Sequence, residues 1–187
     1  MQEEVDFVLE HCKEKMGAAI EHLDKELKHI RAGKATPAML DGVLVEYYGS
    51  MTPLAQVSNV STPDARTIAI QPWEKNLIPV IEKAILAANL GFNPDNNGEI
   101  IRINIPALTE ERRKELVKQV NQEGENGKVS IRLARKEAND SLKKLQKEGL
   151  SEDMEKDGEA EVQKLTDRYV KEIDTLVEAK EKDIMTI

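Results

Sequence analysis

Aromatic side chains are scarce in this chain, at 3% of 187 residues, which is too few to fill one thick globular core. Long helices that share a narrow seam need fewer large side chains. Cysteine occurs once, at Cys12, so no internal disulfide framework exists, and a reducing, cytosolic setting is expected. The place of Cys12 on an apolar helical face reads as a small core residue rather than a nucleophile. There is no Gly-rich phosphate loop and no His-Glu-x-x-His pair. His11, His22 and His29 lie near one helical face, but successive members are at least seven residues apart, more than about 10 Å along a helix and too far to share a metal. Ser141-Leu142-Lys143-Lys144 spells Ser-x-x-Lys without the companion elements of the acyl-transfer enzymes. The few aromatics are scattered, leaving no platform on which single-stranded bases stack. No apolar run approaches the ~18 residues that span a bilayer, and the acidic start MQEEVDFVLE is unlike a targeting peptide. The expectation is a protein without catalytic residues, metal, cofactor or membrane.

Positive charge is also in deficit, with 27 Lys+Arg against 35 Asp+Glu and a net charge of −8. That balance argues against indiscriminate coating of nucleic acid, so any anionic partner must be met locally. One stretch runs the other way. Residues 109–148 hold 11 Lys+Arg against 8 Asp+Glu, a net of +3 that leaves −11 for the rest. Placed at about 100° per residue with Ile131 at zero, Leu116, Val120, Gly124, Gly127, Ile131, Ala134, Ala138, Leu142 and Leu145 form an apolar seam within about 60° of zero. Lys114, Lys118, Lys128, Arg132, Arg135, Lys136 and Lys143 fall between about 40° and 140° on one side of it. Glu115, Glu123, Glu137, Asp140 and Glu148 lie on the other, with Lys144 the main exception. A solvated helix of mixed charge is the plain alternative, but segregation by side favours a binding surface for a polyanion.

Around this helix the chain has three further parts. Residues 3–30 repeat apolar positions at Val5, Val8, Cys12, Met16, Ala19, Leu23, Leu27 and Ile30, an amphipathic helix of about 40 Å that stops at Ala32-Gly33. Residues 31–105 are richer in Pro, Gly, Val and Ile. There the patterns predict strands at Gly42–Tyr48, Gln56–Val60, Thr67–Gln71 and Glu99–Ile105, and a helix at Leu77–Leu90 with Val80, Ile81, Ala84, Ile85 and Ala88 inward. Thr109 then caps the long second helix, Gly149 ends it, and Ser151 caps a third, whose stripe is Val162, Leu165, Tyr169, Ile173, Leu176, Lys180 and Ile184. None of the three helices can bury its seam alone. The expected fold is α+β: an elongated three-helix bundle from residues 1–30 and 106–187, with a β/α/β sandwich domain, residues 31–105, inserted between its first and second helices. Two short crossings join the parts, and Ala32, Gly33, Ile105 and Pro106 are the hinge candidates.

Six blocks carry a family resemblance: Ile30 to Ala35 (IRAGKA), Asp41 to Gly49 (DGVLVEYYG), Glu82 to Ala87 (EKAILA), Ile105 to Lys114 (IPALTEERRK), Arg132 to Asp140 (RLARKEAND) and Gln163 to Asp167 (QKLTD). Together they resemble bacterial ribosome recycling factor across essentially the whole chain. The resemblance implies an L-shaped molecule near tRNA in dimensions, and a monomer that catalyses no covalent step. It implies that the protein binds the ribosome after peptide release and, with elongation factor G and GTP, promotes separation of the subunits. It also implies that the bundle meets large-subunit ribosomal RNA through Arg132 and Arg135, with Lys136 where the family often has arginine. Lys128 shares their flank, and Arg31, Arg112 and Arg113 match other basic positions. Arg112 and Arg113 plot near −100° and 0°, away from that flank. Gly124 and Gly127 fall on the seam where alanine-like residues are commoner in relatives. Each costs about 1 kcal/mol of helix stability against alanine, so the helix either bends there or packs unusually close. The competing function is a helical adaptor that binds a protein groove through an exposed face, indifferent to salt and to the basic flank.

Overall fold

The computed structural model describes residues 1–91 and 93–186. In chain order its elements are α1 (Gln2–His29), β1 (Leu44–Tyr47), β2 (Ser50–Pro53), α2 (Leu54–Val57), β3 (Ser58–Asp64), β4 (Thr67–Pro72), α3 (Ile78–Ala87), β5 (Pro94–Asn96), β6 (Ile101–Asn104), α4 (Glu110–Lys147) and α5 (Glu152–Met185). They divide into two compact units, Met1–Arg31 with Glu110–Thr186, and Ala32–Thr109.

The first unit is a bundle of the three long helices. Helix α1 buries Val5, Cys12, Met16, Leu23 and Leu27, in steps of four and seven that keep one face inward. Acidic Glu3 and Glu4 open it and Lys28 and His29 close it, each complementing the helix dipole. Helix α4 buries Leu116, Val120, Gly124, Gly127, Ile131, Ala134, Ala138 and Leu142, and Leu145 is half-buried. The helix is continuous through both glycines. A Cβ at Gly124 would lie 2.7 Å from Val177 Cγ2, and one at Gly127 would lie 3.3 Å from Ile173 Cδ1 and 3.6 Å from Leu23 Cδ2. Close packing against Val177 of α5 therefore excludes a side chain at Gly124, whereas at Gly127 Ile173 would have to give by a few tenths of an ångström and Leu23 of α1 lies at ordinary contact distance. Gly158 on α5 repeats the device, its absent Cβ 3.0 Å from two methyl carbons of Leu142.

Between α4 and α5 the chain turns at Gly149, in the left-handed region at φ +117°, while the Leu150 N–H returns to the Leu145 carbonyl at 2.9 Å. The Ser151 side chain then accepts from the Met154 N–H at 3.2 Å, capping α5. Helix α5 buries Val162, Tyr169, Ile173 and Ile184, whereas Leu165, Leu176 and Lys180 are half-buried. Glu155, Gly158 and Thr166 join the buried face. Thr166 is tolerated because its hydroxyl donates to the Val162 carbonyl at 2.8 Å.

Glu155 is 6% exposed and close to Glu159, one turn on. A side-chain hydrogen bond with Glu159, burial and the like charge hold its carboxyl above the usual range, while Lys143 and Lys156 pull it back. A raised folded pKa favours the protonated form in the native state. This site's contribution is therefore full below the ordinary glutamate range and lost as pH rises through the folded value.

The second unit packs two sheets and a helix. Strands β1 and β2 pair antiparallel from Leu44↔Pro53 to Tyr47↔Ser50. Their hairpin turns through Tyr48 and Gly49, both left-handed (φ 47° and 80°), as a two-residue type I′ turn requires. The other four strands are antiparallel in the order β3-β4-β6-β5. Ile68, Ile70, Ile101 and Ile103 point into a core completed by Val43, Val45, Leu54, Val57, Ile81 and Ile85. The strand expected at Gln56–Val60 is instead the end of α2 followed by β3. The Ser58 hydroxyl donates to the Leu54 carbonyl at 2.7 Å and so closes a helical turn there. Helix α3 stops at Ala87, which leaves Ala88 exposed rather than inward. Asn97 builds its turn by accepting from the N–H groups of Glu99 and Ile100 at 3.0 and 2.9 Å.

Two consequences of the bundle packing are measurable. Gly124→Ala is expected to destabilise the protein by about 1 kcal/mol, because overpacking of about 1–3 kcal/mol outweighs about 1 kcal/mol of gained helix propensity. In chemical denaturation, Gly124→Ala with Val177→Ala should cost less than the sum of the two single changes. Glu159→Gln removes a like charge from Glu155, so its gain in Tm should be larger at pH 7 than at pH 4; an equal gain at both would dismiss the carboxyl pair as the cause.

Candidate nucleic-acid interface

The basic flank lies on the outward side of α4, and its orientation follows from which face the seam buries. Arg132 and Lys136 are exposed and Arg135 is half-buried. With their spacing of three and four residues they form one surface strip. Among the described residues, none of these three has an ion pair or hydrogen bond within the chain. Their donors remain available, and each guanidinium fork suits bidentate contact with phosphate oxygens.

Lys128 differs from them. It is half-buried, 2.8 Å from an Asp174 carboxylate oxygen on α5 and 3.9 Å from one of Glu125. Its charge is committed to joining α4 to α5, a partner invisible in the periodicity of α4 alone. Asp174 follows the buried Ile173 in sequence, and that adjacency is the signal that could have found it. On the opposite flank Glu137 is bound by Lys15 of α1. The seam of α4 is thus bordered by one ion pair to each neighbouring helix. Lys114 reaches Glu110 at 4.0 Å. Arg112 pairs with Glu115 at 2.9 Å, and the Nε of half-buried Arg113 is buried with no hydrogen-bond partner. Neither belongs to the strip of Arg132, Arg135 and Lys136. Arg31 is exposed at the end of the bundle's first segment. Between the exposed basic residues α4 also exposes Val129 (59%) and Leu133 (56%), apolar side chains that a plot centred on the seam passes over.

The four hinge candidates occupy unlike environments. Ile105 belongs to the core of the smaller unit and donates its N–H to the Arg66 carbonyl at 2.7 Å. Pro106 is exposed and Ala32 half-buried. Gly33 has φ +74°, and a Cβ there would lie 2.6 Å from Leu108 Cγ. The two connecting segments therefore pack on each other within this unit, and only glycine permits the approach.

Among the described residues no three His, Cys, Asp or Glu side chains converge to hold a metal, and no helix is long and apolar enough to cross a membrane. Cys12 is buried, its Sγ 3.8 Å from the Ala134 carbonyl oxygen, and burial pushes its thiol pKa up.

Known proteins resemble the chain along its whole length. The family model described as ribosome recycling factor matches residues 23–185. The chain belongs to the ribosome recycling factor family. The ribosome-recycling factor of Flavobacterium johnsoniae is 59% identical over 187 residues, covering all of both chains. That of Parabacteroides distasonis is 58% identical over 176 residues, 94% of each chain. A solution structure of the ribosome recycling factor covers 98% of both chains at 40% identity, with a TM-score of 0.70. A second comparison is with models for the T. thermophilus ribosome recycling factor and E. coli elongation factor G bound to the E. coli post-termination complex. It covers 97% of this chain and 98% of that one at 47% identity, with a TM-score of 0.59. Ribosome recycling factors are translation factors rather than enzymes, and the present one shares their α+β architecture of long bundled helices and a small antiparallel sheet unit.

Gly33→Ala combines left-handed strain of about 1–2 kcal/mol with overpacking of about 1–3 kcal/mol, so a loss of about 3 kcal/mol in denaturant unfolding is expected. Adding Leu108→Ala should relieve the steric part and leave the backbone part in place.

Proposed function

We propose that this protein binds the post-termination ribosome and, with elongation factor G and GTP hydrolysis by that partner, promotes dissociation into subunits and release from mRNA. The observation that carries this reading is the strip Arg132, Arg135 and Lys136 on the outward side of α4, unpaired among the described residues, in a chain of this family. A cationic strip on a chain of net charge −8 directs the molecule onto phosphates in one orientation, since the remaining surface repels them. Large-subunit ribosomal RNA is the polyanion assigned to it. Arg132 and Arg135 supply forked contacts and Lys136 a point charge. Lys128 supports the strip by fixing α4 to α5 through Asp174. Arg31 is the further RNA contact assigned from the bundle. The smaller unit, joined through Ala32-Gly33 and Ile105-Pro106, moves as a lever when the GTPase acts. The chain works as a monomer in the cytoplasm and needs no cofactor.

Light scattering of bacterial post-termination ribosomes with elongation factor G and GTP tests the whole reading. The protein should accelerate the fall in scattering. Arg132→Ala with Arg135→Ala should weaken ribosome binding at least tenfold with unchanged helical content, and a disulfide joining the two units should preserve binding but stop splitting. Unchanged affinity of the double variant removes the RNA assignment, and normal splitting by the cross-linked protein removes the lever.

A further inference from the structure

Val129 and Leu133 are one helical turn apart on α4 and more than half exposed. Arg132 and Lys136 lie in the same turns, so positions 129, 132, 133 and 136 form one patch about 10 Å long. Apolar and cationic side chains alternate across it. The buried seam is satisfied elsewhere, by Ile131, Ala134 and Ala138, so these two residues contribute nothing to the bundle core.

We infer that Val129 and Leu133 are RNA-contacting residues that pack on the ribose faces of the strand whose phosphates Arg132 and Lys136 engage. This rests on the RNA reading of the basic strip given above. Charge complementarity selects the occupant. Among the described residues Arg132 and Lys136 have no acidic partner, while Glu137, which borders the patch on its other side, is already bound by Lys15. An acidic protein groove would satisfy the cations, but RNA presents phosphates together with carbon-rich sugar edges at the spacing of one patch. The minor groove of A-form RNA is wide and shallow and displays riboses with their 2′-hydroxyls along its margins beside the base edges, a surface that a convex helix bearing short aliphatic side chains can meet. The two kinds of contact then do different work. Arg132 and Lys136 contribute a term that decays with salt through counterion release, and Val129 and Leu133 contribute one that salt does not screen.

Binding to purified bacterial large ribosomal subunits, measured over a series of KCl concentrations, separates the two. The variant Val129→Thr with Leu133→Gln keeps shape and helix propensity, and circular dichroism should match the parent. It is expected to bind about five- to fiftyfold more weakly at every salt concentration, with the slope of log K against log[KCl] unchanged. Arg132→Ala with Arg135→Ala should instead flatten that slope by about 1.4 to 1.8, at about 0.7–0.9 per phosphate contact. Unchanged affinity of the Thr/Gln variant overturns the inference while leaving the RNA reading intact. A loss on intact subunits that disappears on deproteinised large-subunit RNA also overturns it, because the apolar pair then meets ribosomal protein. If the arginine variant leaves the slope unchanged, the RNA reading itself fails and this inference falls with it.

Discussion

The closeness of α4 to α5 is the constraint on which the rest of the bundle depends. Gly124 leaves no room for a methyl group beside Val177, and Gly127 and Gly158 leave little beside Ile173 and Leu142. Such contacts fix rotation as well as distance, since turning α4 by one residue would drive side chains into the space these glycines vacate. The rotation of α4 decides which residues face outward. Arg132 and Lys136 are exposed because Ile131 and Ala134 are buried, and the seam therefore aims the cationic strip. Lys128–Asp174 and Lys15–Glu137 pin the two margins of the seam. Pairs that stay in part exposed to solvent, as these do, add little stability, but they oppose the wrong rotation, which would place like charges together.

The helices were legible because their periodicity is long and uninterrupted. A stripe of nine positions in α4 averages out local exceptions, and glycine on it was readable as either a bend or a close approach. Only three-dimensional packing separates those alternatives. The small unit was harder to read, because its strands of three to seven residues are shorter than a reliable alternation. Strands β2 and β5 carry no alternation of buried apolar residues, and they exist because a neighbour offers backbone partners. At Leu54–Ser58 a side-chain hydrogen bond favoured a helical turn over extended chain.

The candidate site was half legible for a related reason. Charge and angle locate a flank, and that sufficed for Arg132, Arg135 and Lys136. They do not reveal which charges are already spent. Lys128 looks like its neighbours on a helical plot, yet Asp174 holds it from another helix, 46 positions away. Glu155 and Thr166 were invisible for the opposite reason, being polar residues in a stripe searched for apolar ones. Val129 and Leu133 lie opposite the seam, where helical periodicity carries no information about apolar residues.

The discontinuity of the bundle also has a bearing on protein synthesis. Residues 32–109 are contiguous, so the small unit can complete its core as soon as its last strand has emerged. Helix α1 leaves the exit tunnel first, yet Met16, Leu23 and Leu27 have no cover until α4 and α5 follow. At about 5–20 residues per second the remaining 77 residues of the bundle, 110–186, take roughly 4 to 15 s to be made. For that interval the nascent chain carries a finished domain beside a helix with its apolar face open, and its acidic first turn and sparing use of large side chains limit how readily that face attracts a neighbour.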